Sequence, residues 1–161
     1  MMRLTSTHFG VFVIFAAIYA AGTLALGTLP IGDIRVKTGE IVTPLAAIFG
    51  FASVVGLVFG QFIANMASPL GPLDLITPGV AFIALLVLRK LANKSIFLGV
   101  VAYYFITSFW IAFLTSTVTG RGDAFANAFI GQGIALAIGT ALYFAVKSRM
   151  PKPVKPQAIE P

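Results

Sequence analysis

The sequence predicts an all-α integral membrane protein, a bundle of five or six spanning helices, and three observations carry that prediction. Of the 161 residues 58% are hydrophobic and only 10% are charged, against about 45–50% and about 25% in a typical soluble domain. Mean hydropathy is +0.98, more apolar surface than a soluble fold of this size can keep from water. Uncharged runs recur along the chain, most of them near the roughly 20 residues a spanning helix needs, with Leu75–Leu88 short.

The first run, Phe9–Leu29, has 21 residues. That exceeds the roughly 7–15 of a secretory signal core, so the run is expected to be a spanning helix. Three further runs are clear: Leu75–Leu88, with Pro78 in its first turn where proline is tolerated, Ile96–Val118 and Ala124–Val146. Ile41–Met66 is either one tilted helix or two shorter ones that turn near Phe49-Gly50-Phe51, which leaves the count at five or six. These elements make one transmembrane domain over residues 1–147. Residues 148–161, with Pro151, Pro153, Pro156 and Pro161 among lysines, are expected to be a solvated, disordered tail.

The basic residues flank the apolar runs and form no stripe, so the net charge of +6 reports orientation in a membrane and not a nucleic-acid surface. Six helices with a cytoplasmic amino terminus place eight Lys and Arg inside and three outside. Five helices with that terminus outside place nine inside and two outside. Both satisfy the positive-inside rule, and both put Arg89–Lys94 and the tail in the cytoplasm.

Several chemistries are excluded. Without cysteine there is no disulfide and no thiolate site. The single histidine, His8, does not make a zinc site, which takes three or four ligands, and no metal or cofactor is expected. No Walker A, H-E-x-x-H, G-x-S-x-G or dinucleotide fingerprint occurs, so the chain is not expected to be an enzyme. Any energy source must be another subunit or an ion gradient.

The acids outside the tail are Asp33, Glu40, Asp74 and Asp123. All lie near ends of runs, whereas a charge at the bilayer centre costs about 2.5–3.5 kcal/mol. This placement opposes a mid-membrane proton relay and suits a ligand cavity that opens on one face. Glu40 suits a helix first turn, Asp74 suits an N-cap, and the Asn65 amide suits a bond to a neighbouring helix. Arg121-Gly122-Asp123 is expected to be a short turn and not an adhesion signal. Small residues recur at four-residue spacing, as Ala16/Ala20, Ala17/Ala21 and Ala21/Ala25, and again as Gly56, Gly60 and Ala64. That spacing lets helices approach closely, within the bundle or onto a partner. Tyr103, Tyr104, Phe109 and Trp110 offer either packing or a stacking wall for a flat ligand.

Lys37-Thr38-Gly39-Glu40, Pro44-Leu45, Gly56-Leu57 with Gly60, Ala64-Asn65 and Ser68-Pro69-Leu70-Gly71-Pro72-Leu73-Asp74 together carry a resemblance. Over Lys37–Gly79 the chain resembles the QueT family, substrate-binding (S) components of energy-coupling factor transporters for queuosine precursors. The order and spacing match an Arg-x-x-Glu entry to the second helix, an Ala-Asn near the end of the third and a Gly-x-x-Asp before the fourth. Lys37 stands where the family tends to have Arg, Arg35 where it tends to have Gln, and Gln61 where Cys is frequent. An ammonium lacks the bidentate fork of a guanidinium.

The resemblance implies six helices with both termini cytoplasmic, in a cytoplasmic-type membrane, with the Gly32–Glu40 loop outside over a substrate cavity. It implies that Ala17, Ala21 and Ala25 dock on a transmembrane coupling subunit, with ATPase subunits supplying the work. The implied ligand is a 7-deazaguanine base. Glu40 and Asp74 are the implied acceptors for its donor edge, Asn65 reads a donor or an acceptor, and Lys37 or Arg35 approaches O6 or steadies Glu40. Tyr103 and Trp110 complete the expected site. The competing expectations are an S component for another vitamin, a small self-contained secondary transporter, and a scaffold that binds nothing.

Overall fold

The computed structural model describes residues 6–26, 28–31 and 34–150. Helix α1 spans Ser6–Leu26. A two-stranded antiparallel hairpin follows, β1 (Thr28–Ile31) and β2 (Ile34–Lys37), in a register that sets Thr28 against Lys37 and Ile31 against Ile34. Helix α2 begins as a 3-10 helix over Thr38–Leu45 and continues as α-helix Ala46–Phe49. Helix α3 spans Phe51–Asn65. Helix α4 opens with a 3-10 turn, Gly71–Ile76, and continues over Thr77–Ala92. Helices α5 (Ile96–Thr119) and α6 (Ala124–Arg149) complete the chain.

Of the two arrangements open for Ile41–Met66, the structure takes the split one. Gly50 has φ 82 and ψ −163, a conformation open almost only to glycine, and Ser53 Oγ donates to the Gly50 carbonyl at 2.7 Å. The chain thus turns where a longer helix would have continued. The Gly32–Glu40 loop is corrected in part: its second half is strand β2 and the start of α2, and Gly32 and Asp33 lie outside the described residues. Helix α6 runs through Ser148 and Arg149, and Met150 turns extended with ψ 140, as a residue before proline favours. The rest of the expected tail, from Pro151, lies outside the described residues.

Helices α1, α4, α5 and α6 are long and apolar enough to cross a membrane, and the two shorter apolar helices are Thr38–Phe49 and Phe51–Asn65. Large apolar side chains face outward along them, among them Phe9, Ile14, Phe97, Phe113 and Ile138. The buried set contains Thr38, Glu40, Thr43, Gln61, Asn65, Asp74, Thr77, Thr107 and Gln132. They share the interior with an apolar core that includes Phe15, Leu57, Leu85 and Leu136, and an apolar exterior with the polar side chains turned inward is the distribution expected where lipid is the solvent. The chain is a multi-pass membrane protein.

Close packing positions the interior. Helix α1 lies along α3, where a Cβ on Gly56 would come 2.5 Å from the Phe12 carbonyl oxygen and one on Gly60 2.5 Å from that of Ala16. The four-residue spacing of α3 therefore serves contact inside the bundle. The small residues of α1 divide between two faces: Ala16 and Ala20 are buried, while Ala17, Ala21 and Ala25 are exposed. Helix α4 packs on α5, α5 on α6, and α6 against the 3-10 half of α2 and strand β2.

Candidate functional site

The carboxyl ends of α1, α3 and α5 and the amino ends of α2, α4 and α6 meet at one end of the bundle, beside the hairpin. They enclose a cavity of about 640 Å³, within the range of about 300–1,000 Å³ of small-molecule sites. Thr23 and Leu24 come from α1, Lys37 from the end of β2, Glu40 from α2, Ala64 and Asn65 from α3, and Asp74 from the start of α4. Ile111, Thr115 and Thr119 of α5, Arg121 of the following loop and Asn127 and Gln132 of α6 close the wall.

Glu40 is 3% exposed and accepts from four side chains on four helices. Tyr19 of α1 donates its hydroxyl to Oε1 at 2.7 Å, and Tyr103 of α5 donates to Oε2 at 2.8 Å. Gln132 of α6 donates its amide to Oε2 at 3.1 Å, and Thr43 its hydroxyl at 3.3 Å. Gln132 also donates to Thr107 Oγ1 at 3.2 Å, and Thr107 donates to the Tyr103 carbonyl. All four donors are neutral, and the ion pair among the described residues is Arg121–Asp123. Neutral donors satisfy a buried carboxylate without cancelling its charge.

Asp74 departs from the expected N-cap. Neither turn of α4 shows a side-chain cap, and the carboxylate Oδ1 instead accepts from the Thr77 hydroxyl at 2.6 Å. Thr77 in turn accepts from Trp110 Nε1 at 2.8 Å. Asn65 is committed to protein partners: its Oδ1 accepts from Lys37 Nζ at 3.2 Å and its Nδ2 donates to the Asp74 carbonyl at 2.9 Å. It ties strand β2 to the start of α4.

Lys37, Glu40, Asn65 and Asp74 are therefore brought together on one cavity wall. Tyr103 and Trp110 are not part of that wall. The Tyr103 ring is 1% exposed and steadies Glu40 through its hydroxyl, so a stacking role for it is corrected. Trp110 reaches the site only through Thr77. Arg35 belongs to β2, with its side chain outside the described residues. Tyr104 also stands elsewhere, donating to the Phe129 carbonyl at 3.1 Å. Sequence reasoning missed Tyr19, Thr43, Thr77 and Gln132. Gln132 carried a usable signal, as an uncharged polar residue in the apolar run Ala124–Val146. Tyr19 in a hydrophobic helix carried none.

At the rim, Arg121 donates from Nε to Asp123 Oδ1 at 2.9 Å and from a terminal nitrogen to Oδ2, and Asn127 Nδ2 donates to Asp123 Oδ2 at 2.8 Å. The tripeptide is the exposed turn the sequence suggested. Hydrogen bonding from Arg121, with its charge and Asn127 adding, holds the Asp123 carboxyl below the ordinary range. Among the described residues no group of three or more His, Cys, Asp or Glu side chains could hold a metal.

The family model described as QueT transporter matches residues 11–148, most of the chain. Comparisons with curated proteins and with solved structures give no match.

Proposed function

The chain belongs to the QueT transporter family, a transporter family and not an enzyme family, and from that premise we propose that it is the substrate-binding subunit of an energy-coupling factor importer for a 7-deazaguanine queuosine precursor. The observation that carries this reading is Glu40: a buried carboxylate on the cavity wall, held by four neutral donors. Oε2 accepts from Tyr103, Gln132 and Thr43, and Oε1 from Tyr19, so one donor of the deazaguanine edge meets the remaining lone pair of Oε1 and makes a charge-assisted hydrogen bond, stronger than a neutral one. Among the described residues Lys37 has one protein acceptor, Asn65 Oδ1, and its remaining donors serve the O6 carbonyl. Asn65 is a positioning residue that holds Lys37 and the start of α4 in place.

In this function all six helices cross the cytoplasmic membrane, both termini face the cytoplasm, and the cavity opens outward beside the hairpin. The exposed Ala17, Ala21 and Ala25 stripe of α1 docks on a transmembrane coupling subunit, since small residues let helix backbones approach. ATPase subunits bound to that partner supply the work, in keeping with a chain that carries no Walker A motif.

Uptake tests the assignment. Cells that make this chain together with a coupling module should accumulate labelled 7-cyano- or 7-aminomethyl-7-deazaguanine, and cells lacking the ATPase subunits should not. Accumulation that persists without the ATPases and collapses with the ion gradient would instead identify a secondary transporter.

A further inference from the structure

A second concavity, of about 400 Å³, opens on the outer face between α5 and α6. It starts at the level of Tyr104 and Gly133 and runs away from the cavity to Phe97 and Ala141. Ring contacts of Tyr104 with Phe129 at 5.5 Å and of Phe97 with Phe144 at 5.8 Å fix that register. The polar side chains in its wall both donate to backbone, Tyr104 to the Phe129 carbonyl at 3.1 Å and Thr140 to the Leu136 carbonyl at 2.7 Å. An occupant therefore has to be apolar there. Gly133 to Ala141 covers about 12 Å of helix at 1.5 Å per residue, close to the roughly 15 Å of hydrocarbon in one leaflet. Spread over that length, the volume leaves a section of roughly 30 Å², under half of the roughly 80 Å² of a helix 10 Å across. The slot has the width of a hydrocarbon chain and not of a partner helix.

The mouth of the slot is cationic. Arg89 and Lys90 in the last turn of α4, Lys94 in the turn after it, and Lys147 and Arg149 in the last turn of α6 share this end of the bundle. The described acids, Glu40, Asp74 and Asp123, all stand at the other end. The adjoining sequence, residues 1–5 and 151–161, holds Arg3, Lys152 and Lys155 against Glu160, which does not reverse the sign. Lys147 comes two turns after Thr140 on the same face of α6, and Lys94 precedes Phe97 by three residues. A lone lysine at a helix end extends its ammonium toward water. Lys147 Nζ instead donates back to the Tyr143 hydroxyl at 3.0 Å and lies 5.3 Å from that ring's centroid. Tyr143 is buried, so the ammonium is held against the bundle with donors to spare. We propose that the slot and the cations at its mouth bind an anionic phospholipid, one acyl chain between α5 and α6 and the phosphate on Lys147 and Lys94. A zwitterionic headgroup would bring its own ammonium into the same cluster, so the site discriminates by headgroup charge. An acidic protein surface would meet the cations and leave the slot unfilled. The proposal rests on the chain being a multi-pass membrane protein and is independent of the ligand at Glu40.

Native mass spectrometry of the purified full chain, titrated in detergent with dioleoylphosphatidylglycerol or dioleoylphosphatidylcholine, tests the proposal. The anionic lipid should form one dominant adduct, at least about fivefold tighter than the zwitterionic one, the factor that a single lysine near an anionic headgroup contributes. Glycerol 3-phosphate, the same headgroup chemistry without chains, should not displace it. Joint replacement Lys94→Gln and Lys147→Gln should bring the ratio of the two lipids close to one. Ala137→Phe, on an exposed position of the slot, should weaken both lipids together. Equal binding of the two lipids by the unaltered chain overturns the proposal. So does displacement by glycerol 3-phosphate, which would identify an anion site without a chain. A headgroup preference that survives the double lysine replacement, or an affinity untouched by Ala137→Phe, overturns it by assigning the effect to diffuse surface charge. The comparison of lipids on the unaltered chain needs no variant, so a misfolded variant does not weaken the test.

Discussion

Tyr19, Thr43, Tyr103 and Gln132 converge on the Glu40 carboxylate from α1, α2, α5 and α6, so one side chain both holds helices together and presents charge to the cavity. Glu40→Gln replaces an acceptor by an amide whose nitrogen must face a donor. Loss of charge-assisted bonds of about 1.5–3 kcal/mol predicts deazaguanine binding weaker by roughly ten- to a hundredfold, read by calorimetry. Tyr103→Phe removes one of the donors and no cavity surface. It should lower thermal stability by about 1 kcal/mol and change affinity less than Glu40→Gln, and a larger loss of affinity than that would place Tyr103 against the ligand. At the rim, the lowered Asp123 carboxyl fixes the sign of a pH effect. The Arg121 turn is intact above the ordinary carboxylate range and is lost as pH falls through the lowered value. Binding should therefore not weaken through this turn between pH 7 and pH 5, and Asp123→Asn should leave the profile over that window unchanged.

The residues of this site were unevenly legible. Acids are so scarce in the sequence that only four outside the tail needed weighing, and the family resemblance then joined Glu40 and Asp74 with Lys37 and Asn65 as an expected site. Their partners were hidden because Tyr, Thr and Gln are common enough in apolar helices to pass as packing. Which hydroxyl meets which carboxylate is a matter of helix rotation, and a sequence with moments close to featureless in α1, α5 and α6 gives no signal of it.

At the scale of elements, the turn between α2 and α3 rests on Gly50 and the approach of α1 to α3 on Gly56 and Gly60. Gly50→Ala forces a side chain into a conformation that costs about 1–3 kcal/mol, and the apparent Tm in detergent should fall accordingly. Gly60→Leu should be more severe, since its Cβ meets the Ala16 backbone and not a flexible side chain. Spacing alone allowed a close approach, within the bundle or onto a partner, and did not say that Ala16 and Ala20 face inward while Ala17, Ala21 and Ala25 face out. The hairpin also escaped sequence reasoning. Its strands have four residues each, too short for an alternating pattern to stand out beside a long apolar helix. Likewise the break at Gly50 was one of two open possibilities until backbone geometry selected it.

The whole molecule is an apolar helix bundle with a polar-lined cavity at one end, and hydropathy made the bundle legible because lipid imposes apolar helices on every span at once. The chamber's position at one end of the bundle followed less directly, from acids that avoid the middles of the runs. Docking belongs to this scale too. If the proposed docking on a coupling subunit holds, replacing Ala17, Ala21 and Ala25 by leucine adds bulk to an exposed face, so ligand binding should survive while co-purification with coupling and ATPase subunits is lost. Retained co-purification would move the docking surface elsewhere.

The most direct measurement is equilibrium binding of 7-deazaguanines to the purified, detergent-solubilised chain, with guanine, riboflavin, thiamine and biotin as controls. Selective binding of a deazaguanine, weakened by Glu40→Gln, is the predicted result. Binding of a control vitamin in its place, or of nothing in the panel by a folded protein, would contradict it.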